Sequence, residues 1–491
     1  MLNIYTCILL FLCISFVIFG FFYSKNDNSL SSYLNANRSI RSTSLTASIV
    51  ASCFGVWILI GPAEAATWGG IGAITGYALG QACPYLAMSV FGKRLRNIMP
   101  KGNSLTQFVF ARYGSKMLQI VLVLSLFYMF IYLCAEVTAI AKVVQLISGT
   151  DLWKTSLLIL VSTLVYTLKG GLKISIITDK FQFIIICIFL IFIFYFLFFS
   201  GEINISSKLI GLKASNLIDP KYFYGYTAGI TFFIAVFATN LFDQGVWQRV
   251  YAAKSNQHLE SGFKNSFFIV LPVILILGFC GIIAVSLGQT KDPSTVVFAM
   301  LLGSGNQWLS IAILILALIL VISSMDTLIN AISSLLVIES KKLIQLKSRM
   351  SHLNFSKIIL VVLSLLVFYV ASKGLSVLYM FLLADLLCCA AAVPVFYGMF
   401  KNDTSGKGSV IAACSGLVAG LLLFPDLTFQ KSILVGGLLD SKYFPSWIST
   451  ALLFWSFLLA TLIPLFMTLI LRNKKHKFKF SRIKVLVTEI K

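Results

Sequence analysis

Long, uninterrupted runs of hydrophobic residues recur along the whole chain, and polar residues gather in the short segments between them. Each run covers about 20 residues, the length that an α-helix needs to cross ~30 Å of hydrocarbon. A membrane β-barrel would instead alternate apolar and polar residues over ~10-residue strands. The pattern therefore predicts an all-α polytopic membrane protein. We place thirteen transmembrane spans, at 3–23, 44–67, 71–91, 117–147, 153–168, 177–200, 223–248, 265–289, 309–338, 356–372, 375–399, 408–424 and 447–471.

The composition narrows the class of protein. Hydrophobic residues make up 58% and charged residues 11% of the 491 positions, against about 45–50% and ~25% in soluble globular proteins. This balance excludes a soluble enzyme, a disordered chain and a nucleic-acid binder. The ten cysteines all fall in apolar spans, where they act as small hydrophobes rather than metal ligands. We therefore expect no enzymatic activity, no bound cofactor and no obligate protein partner for this chain in its lipid bilayer.

The basic residues predict the orientation, because cytoplasmic loops of membrane proteins carry an excess of Lys and Arg. With the N-terminus outside, the inner segments hold 30 of the 39 Lys and Arg residues that give the chain its charge of +22. We therefore place the protein in the plasma (bacterial inner) membrane, with a cytoplasmic C-terminus. A basic tail at 472–491 faces anionic lipid. Its basic cluster is Arg472, Lys474, Lys475, Lys477 and Lys479.

The second span contains residues that weaken a helix at mid-membrane. Gly55, Gly61 and Pro62 follow one another within this span, and proline removes a hydrogen bond from the helical ladder. An interrupted helix exposes carbonyl groups that can bind a cation. A simple packing kink is the alternative, and the segment alone does not choose between the two.

The seventh span combines an acid with several polar side chains. Thr239, Asn240, Asp243, Gln244 and Gln248 recur at positions i, i+4 and i+8, which places them on one face of a continuous helix. We interpret this face as the wall of a solute cavity. Hydrogen bonds that only tie neighbouring helices together are the alternative.

The ninth span changes from aliphatic to polar half-way along its length. Ser323, Thr327, Asn330 and Ser334 form a continuous stripe, and Ser324 follows Ser323 directly. Adjacent hydroxyl groups are hard oxygen donors of the kind that suit Na⁺. Serine hydroxyls can also bond the carbonyl of their own helix four residues earlier, which would give them no ligand role.

At these residues the chain resembles the sodium:solute symporter family, and the resemblance covers nearly its whole length. The family implies a leucine-transporter-type fold, with an inverted 5+5 helix repeat whose first helices are discontinuous. It divides the chain into a peripheral first helix with its inner loop (1–43), two repeats (44–222 and 223–400), two peripheral helices (401–471) and the tail (472–491). The matching segments are SYLNANR at 32–38, FVFARYG at 108–114, YTLKGGLK at 166–173 followed by Thr178, Asp179 and Gln182, DQGVWQR at 243–249 and SSMDT at 323–327.

The resemblance also implies a sodium site between the second and ninth spans. Asp179 matches an acid near the cytoplasmic sodium exit, although an ion pair with Lys180 or Lys173 would explain it equally well. The chain departs from some relatives, because Cys53 replaces an aspartate, Gly55 replaces a serine and Gln81 replaces a glutamate of some sugar carriers. The sodium ligands carried over are the backbone oxygens of Ala51, Phe54 and Leu320 and the hydroxyls of Ser323 and Ser324.

The function implied is sodium-coupled uptake of a small polar organic solute by alternating access, with an amino acid such as proline, or urea, as the expected solute. Proton coupling through Asp179, Asp326 or Glu136, and transport of a monocarboxylate or a sugar, are the alternatives within this fold. A channel or a transporter-like sensor fits the sequence less well. The residues expected to contact the solute are Trp57, Gln81, Asp243, Gln244 and Trp247.

Four further charged residues lie within or beside the spans without an assigned role. We expect Glu136 and Asp385 to be paired structurally rather than to contact the solute, since a buried acid requires a hydrogen-bond donor. Lys142 lies near an outer span end and can extend its ammonium group toward water. Glu64 lies near the outer mouth, where gating and simple exposure are equally good explanations.

Overall fold

The protein is helical throughout the part of the chain that the structure describes. This computed structural model describes residues 4–23, 30–199, 212–219, 221–288, 292–302, 305–343, 349–435, 445–473 and 477–487, so Lys25, Lys474 and Lys475 lie outside it. Its helices are α1 (Ile4–Tyr23), α2 (Leu30–Asn35), α3 (Ser42–Cys53), α4 (Gly61–Ile98), α5 (Leu105–Tyr113), α6 (Ser115–Ser148), α7 (Leu152–Phe199), α8 (Leu212–Ile218), α9 (Phe223–Asn240), α10 (Gln244–Ala252), α11 (Asn256–Ser286), α12 (Val296–Leu302), α13 (Gln307–Leu343), α14 (Arg349–Ala371), α15 (Val377–Phe400), α16 (Gly406–Leu423), α17 (Ser446–Ser449), α18 (Leu452–Ile470) and α19 (Ser481–Leu486).

The predicted spans coincide with helices. Among the residues given above, eight helices are long and apolar enough to cross a membrane, or ten when each of two bent pairs is counted as one span. One bent pair joins Ser42–Cys53 to Val56–Ile98 and so contains two predicted spans, 44–67 and 71–91. The predicted first and fifth spans correspond to shorter apolar helices, Ile4–Ile18 and Leu152–Val165.

Two predicted span boundaries fall inside α4 and α7, at glycines with positive φ. Gly70 has φ 56° and Gly171 has φ 64°, so both leave the helical conformation. Glycine populates positive φ readily because it has no Cβ. A side chain at Gly70 would in addition overlap the backbone of Leu217, and one at Gly171 would overlap Tyr33. These glycines therefore separate the second span from the third and the fifth from the sixth.

The second span is interrupted, as its glycines and proline predict. Helix α3 ends at Cys53, a short 3₁₀ turn covers Val56–Leu59, and α4 begins at Gly61 with Pro62 in its first turn. The two segments are bent by 61°. Proline is tolerated in the first turn of a helix because its missing N–H would have no partner there.

The seventh span is interrupted as well, as the resemblance to the family implies, and this corrects our interpretation of its polar residues as one face of a continuous helix. Helix α9 ends at Asn240, α10 begins at Gln244, and the two are bent by 55°. Asp243 lies in the break and caps α10, because its side-chain oxygen accepts a hydrogen bond from the Gly245 amide at 2.6 Å. Aspartate is a preferred N-cap residue, so it begins a new helix here.

Close packing of glycines holds α4 against α9. Gly72 and Gly76 on α4 face Gly225 and Gly229 on α9, and a Cβ at Gly76 would overlap the Gly229 carbonyl. Small residues four positions apart allow helix backbones to approach closely in membranes, where van der Waals contact drives helix association. This packing holds the third span against the first half of the seventh span.

Candidate functional site

A polar cavity lies between the two interrupted spans, in the middle of the helix bundle. Its walls come from the α3–α4 break, from α4, α6, α13 and α15, and from the α9–α10 break. The polar and aromatic side chains among its lining residues are Ser52, Cys53, Trp57, Tyr77, Gln81, Tyr85, Tyr128, Tyr132, Thr239, Asn240, Asp243, Arg249, Thr327, Phe381 and Asp385.

Aromatic rings form one wall of this cavity. The ring of Trp57 lies 5.8 Å from that of Tyr77, in a stacked arrangement, and 6.1 Å from that of Phe381. Tyr132 lies 5.2 Å from Phe381 and 5.8 Å from Tyr128, measured between ring centroids. The faces of such rings carry negative charge density and attract cations.

Two buried carboxylates lie in the same cavity. Asp385 is 4% exposed and accepts a hydrogen bond from the Thr239 hydroxyl at 2.7 Å. Asp243, which caps α10, is 8% exposed. Between them, the side-chain amide of Asn240 donates to the Gln81 carbonyl oxygen at 3.2 Å. The cavity therefore combines two acids with a pair of neutral amides.

Arg249 is the basic residue among the described residues that line the cavity, and each of its three nitrogens donates to a protein group. Its Nε donates to Ser48 at 2.9 Å and its Nη1 to the Gly245 carbonyl at 3.1 Å. Its Nη2 donates to Asp179 at 2.9 Å and to Thr327 at 3.0 Å. The charge of Arg249 is thus already paired with Asp179 rather than free for an anionic solute in this conformation.

The break after α3 redirects backbone hydrogen bonds. In a continuous helix the Gly55 amide would bond the Ala51 carbonyl, but here it bonds the Cys53 carbonyl at 3.0 Å. The Ile58 amide, which would bond the Phe54 carbonyl, goes to the Gly55 carbonyl at 3.2 Å. Ala51 and Phe54 thus lose their helical donors, which leaves their carbonyl oxygens available for another partner.

The paired hydroxyls of the ninth span lie next to this break. One oxygen of Glu136 accepts hydrogen bonds from the Val56 amide at 2.9 Å and from the Ser324 hydroxyl at 3.0 Å, so these two donors are within about 6 Å of each other. The Ser324 hydroxyl also lies 3.1 Å from the Leu320 carbonyl. The Ser323 hydroxyl donates to Asp179 at 3.0 Å.

The donor set around the hydroxyl pair suits an alkali cation. It consists of hydroxyl, backbone carbonyl and carboxylate oxygens, which are ligands that hard cations prefer. Within the described part of the chain, no group of three or more His, Cys, Asp or Glu residues is arranged to hold a metal ion. The residues thus fit Na⁺ better than a transition metal, and the five sodium ligands carried over from the family remain a prediction.

The sequence profile of the sodium:solute symporter family matches residues 33–416, well over half of the chain. The chain belongs to the sodium:solute symporter family. This symporter is therefore a membrane transporter and not an enzyme.

Among known proteins, the symporter is 26% identical to the spermidine transporter DUR31 of Candida albicans, over 86% of this chain and 82% of the relative. It is 22% identical to the probable urea active transporter 1 of Schizosaccharomyces pombe, over 81% of this chain and 65% of the relative.

The fold is similar to those of solved transporter structures. A Na⁺-coupled sialic acid symporter aligns with a TM-score of 0.72 and 14% identity, over 96% of this chain and 98% of that one. MhsT in complex with L-phenylalanine aligns with a TM-score of 0.53 and 12% identity, over 88% and 98%. At these identities the similarity establishes the fold alone, and it confirms the leucine-transporter-type architecture with its discontinuous first helices.

Three of the five predicted solute residues, Trp57, Gln81 and Asp243, line the cavity of the symporter. The other two lie elsewhere. Gln244 donates from its side chain to the Asn103 carbonyl at 3.1 Å, and the Trp247 indole donates to the Leu241 carbonyl at 2.8 Å. The break before α10 changes the direction of this helix, so residues that a continuous helix would point into the cavity are turned away from it.

Asp179, the predicted sodium-exit residue, is fully buried. Its ion-pair partner is Arg249 on α10, with 2.9 Å between Nη2 and Oδ2, and not the neighbouring lysines considered from the sequence. Its Oδ2 also accepts from the Ser48 hydroxyl at 2.5 Å. Asp179 and Arg249 together connect α3, α7, α10 and α13, and the role of Asp179 in sodium exit stays a prediction.

The sequence reasoning missed several cavity residues. Tyr77 and Tyr85 flank Gln81 at intervals of four, and Tyr128 and Tyr132 are also four apart. This spacing places each set on one helix face. The spacing of the tyrosines is therefore the sequence signal that could have identified the cavity walls on α4 and α6. Asp385 is paired, as expected, but it also faces the cavity.

The remaining charged residues near the predicted outer ends have polar partners. Glu64 accepts a hydrogen bond from the Ser376 hydroxyl at 3.2 Å. Lys142 donates to the Ser294 hydroxyl at 3.1 Å. Neither residue is among those that line the cavity.

Proposed function

We propose that this symporter couples the inward movement of Na⁺ to the uptake of a small organic cation bearing an amine, by alternating access. We place it in the plasma (bacterial inner) membrane, with the N-terminus outside and the C-terminus in the cytoplasm. The observation that carries the choice of solute is the charge of the cavity. Asp243 and Asp385 line it, while the nitrogens of Arg249 are occupied by protein partners.

The aromatic wall supports the same choice. An ammonium group within about 6 Å of a ring centroid gains ~0.5–2 kcal/mol from the negative face of the ring. Trp57 and Tyr132 are held in place by a hydrogen bond of 2.8 Å from the indole nitrogen to the phenol oxygen. A fixed pair of rings next to two carboxylates offers an organic cation both charge and an apolar surface. A monocarboxylate would meet two acids and no available base.

Sodium coupling is supported by the oxygen-rich surroundings of Ser323 and Ser324 beside the broken second span. Na⁺ at this place would contact α3 and α13 together, and it would thereby favour the conformation in which the two are close. A neighbour of the same fold is described as Na⁺-coupled, and one relative is described as a spermidine transporter. Both descriptions agree with the proposal.

A second solute class is favoured by the amide pair of Gln81 and Asn240. Neutral amides bind urea, or the carboxylate of a zwitterion such as proline, through paired hydrogen bonds. The urea transporter among the relatives agrees with this alternative. Such a solute would use the amides as its main contacts, and the two acids would then be less important for binding.

The test is uptake into proteoliposomes that contain the purified protein. We would compare spermidine, putrescine, choline, proline, urea, lactate and glucose, each with an inward Na⁺ gradient and with Na⁺ replaced by K⁺ at the same pH. We expect Na⁺-dependent accumulation of at least one amine cation and none of lactate. Accumulation of only urea or proline would replace the solute assignment, and uptake that persists in K⁺ but follows a pH gradient would replace sodium by proton coupling.

A further inference from the structure

Glu136 is a fully buried acid whose charge has no basic partner. It lies on α6, and its relative exposure is 0%. One carboxylate oxygen, Oε2, accepts from the Val56 amide and the Ser324 hydroxyl. The other oxygen, Oε1, has no hydrogen-bond partner, and no lysine, arginine or histidine of the described segments forms an ion pair with this side chain.

The space for this carboxylate is provided by Gly55. A Cβ at position 55 would overlap Oε1 and approach both other atoms of the carboxyl group. Any residue other than glycine would therefore displace Glu136 from the break. The glycine that stands where some relatives have a serine is thus matched by an acid that reaches the same place from another helix.

A buried carboxylate with one unsatisfied oxygen is energetically costly unless it takes up a proton or a cation neutralises it. One predicted Na⁺ ligand, Ser324, contacts it directly, and two others lie beside that contact in the fold or in the chain. The Ser324 hydroxyl is 3.0 Å from Oε2, the same hydroxyl is 3.1 Å from the Leu320 carbonyl, and Phe54 directly precedes Gly55. A monovalent cation at this position would satisfy both the carboxylate and the carbonyls released by the break.

We propose that Glu136 is a charged ligand of the coupling Na⁺, in addition to the five ligands carried over from the family. The inference rests on the proposed sodium coupling and extends its site from two elements to three. With Glu136 as a ligand, Na⁺ connects α6 to the broken second span and to α13. The ion site then also contacts the segment that carries Trp57, because the Val56 amide is bound to the same carboxylate.

The first measurement is equilibrium binding of ²²Na⁺ to the purified protein without solute. E136Q preserves the shape of the side chain and its ability to accept from Val56 and Ser324, but it removes the charge. We expect Na⁺ affinity at least tenfold lower than in the wild type, because the strongest ligand of the site is lost. E64Q is the matched control, since it neutralises another largely buried acid, and it should bind Na⁺ as the wild type does.

The second measurement separates a ligand from a structural acceptor. We would record the melting temperature in K⁺ buffer and its increase on addition of Na⁺. For E136Q we expect an unchanged or higher melting temperature in K⁺, since a costly buried charge is gone, and a much smaller increase with Na⁺. E136D retains the charge on a shorter side chain, and its Na⁺ affinity should lie between those of E136Q and the wild type.

Three results would overturn the inference in distinguishable ways. Wild-type Na⁺ affinity in E136Q would show that Glu136 is not a ligand. A lower melting temperature in K⁺ with the full Na⁺-induced increase would show a purely structural acceptor. Absence of Na⁺ binding by the wild-type protein itself would instead refute the proposed sodium coupling, and the ligand assignment with it.

Discussion

Replacing Asp179 by asparagine should destabilise the conformation seen here, because it removes one half of a buried ion pair. The guanidinium of Arg249 and the carboxylate of Asp179 are 2.9 Å apart and 1% and 0% exposed. The pair sits where four helices meet, with Ser48, Ser323 and Thr327 as further hydrogen-bond partners. The asparagine side chain has nearly the same shape, so the change alters charge more than packing.

The size of the effect follows from what remains after the substitution. Arg249 keeps its bonds to Ser48, Gly245 and Thr327, but its buried charge loses the carboxylate that is bonded to it directly. Removing one member of a buried ion pair costs about 3–5 kcal/mol, whereas replacing both members by neutral groups of similar volume is often close to neutral. We therefore expect about 3–5 kcal/mol for D179N, a similar cost for R249M, and much less than their sum for the double variant.

The free energy of unfolding can be measured by SDS titration in mixed micelles, and the four proteins together form a double-mutant cycle. Lys93 and Glu260 provide the matched control, because their ion pair is shorter, at 2.6 Å, but its side chains are 41% and 34% exposed. That pair should show no coupling above the experimental error, since solvent screens it. A coupling for Asp179 and Arg249 as small as that of the control would refute the reasoning.

Three further predictions concern the cavity, the transported charge and the packing. D385N should raise the KM for an amine cation at least tenfold, about 1.5–3 kcal/mol, and an unchanged KM in uptake assays would remove Asp385 from the solute site. A potential of −100 mV contributes ~2.3 kcal/mol for each charge that moves inward. A monovalent cation carried with one Na⁺ moves two charges, so this potential should raise its steady-state accumulation about 2,000-fold, whereas a neutral solute carried with one Na⁺ should gain about 50-fold. Measuring isotope accumulation at set K⁺ diffusion potentials distinguishes the two cases. G76V should lower the melting temperature strongly, because the valine side chain would overlap the Gly229 carbonyl. T75V, on the exposed side of the same helix, is the control and should leave the melting temperature nearly unchanged. Equal melting temperatures for the two variants would contradict the α4–α9 contact.

The spans and the first break could be predicted from the sequence because they depend on local physics. Apolar length decides whether a helix crosses the bilayer, and Gly55 and Pro62 weaken the helical ladder wherever they occur in a span. The pairing of this break with Ser324 could be expected only through the resemblance to the family. Its geometry, including the carboxylate of Glu136 between them, depends on how α6 packs.

The second break was implied by the resemblance to the family, but the residue pattern on its own did not indicate it because its sequence signal is weaker. The residues 241–243 contain no proline or glycine, and the polar residues on both sides fit one face of a continuous helix. Asp243 begins α10 as its N-cap. The preference of aspartate for this position competes with the tendency of the chain to continue one helix, and the surrounding contacts decide which of the two prevails. Gln244 and Trp247 lie outside the cavity lining for the same reason, since the directions of their side chains depend on the axis of α10.

Arg249 illustrates why long-range electrostatics cannot be read from a pattern. At the end of the seventh span it resembles an ordinary interfacial arginine, yet its partner Asp179 is 70 residues away in the chain and both are buried. The position of α10 after its bend is what brings the two together. A basic residue at the end of a span that contains an acid can therefore belong to a buried ion pair, just as it can mark the cytoplasmic end of the span.

The short segment at 53–57 belongs to both the proposed ion site and the cavity. Its Val56 amide is bound to Glu136, and its Cys53 carbonyl accepts from the Trp57 indole at 3.1 Å. Because Trp57 also forms part of the aromatic wall, a cation that fixes the backbone here fixes that wall as well. Coupling by this route needs no further residues between the two sites. Because coupling is reciprocal, a solute that orders Trp57 must strengthen ion binding by the same factor by which the ion strengthens solute binding.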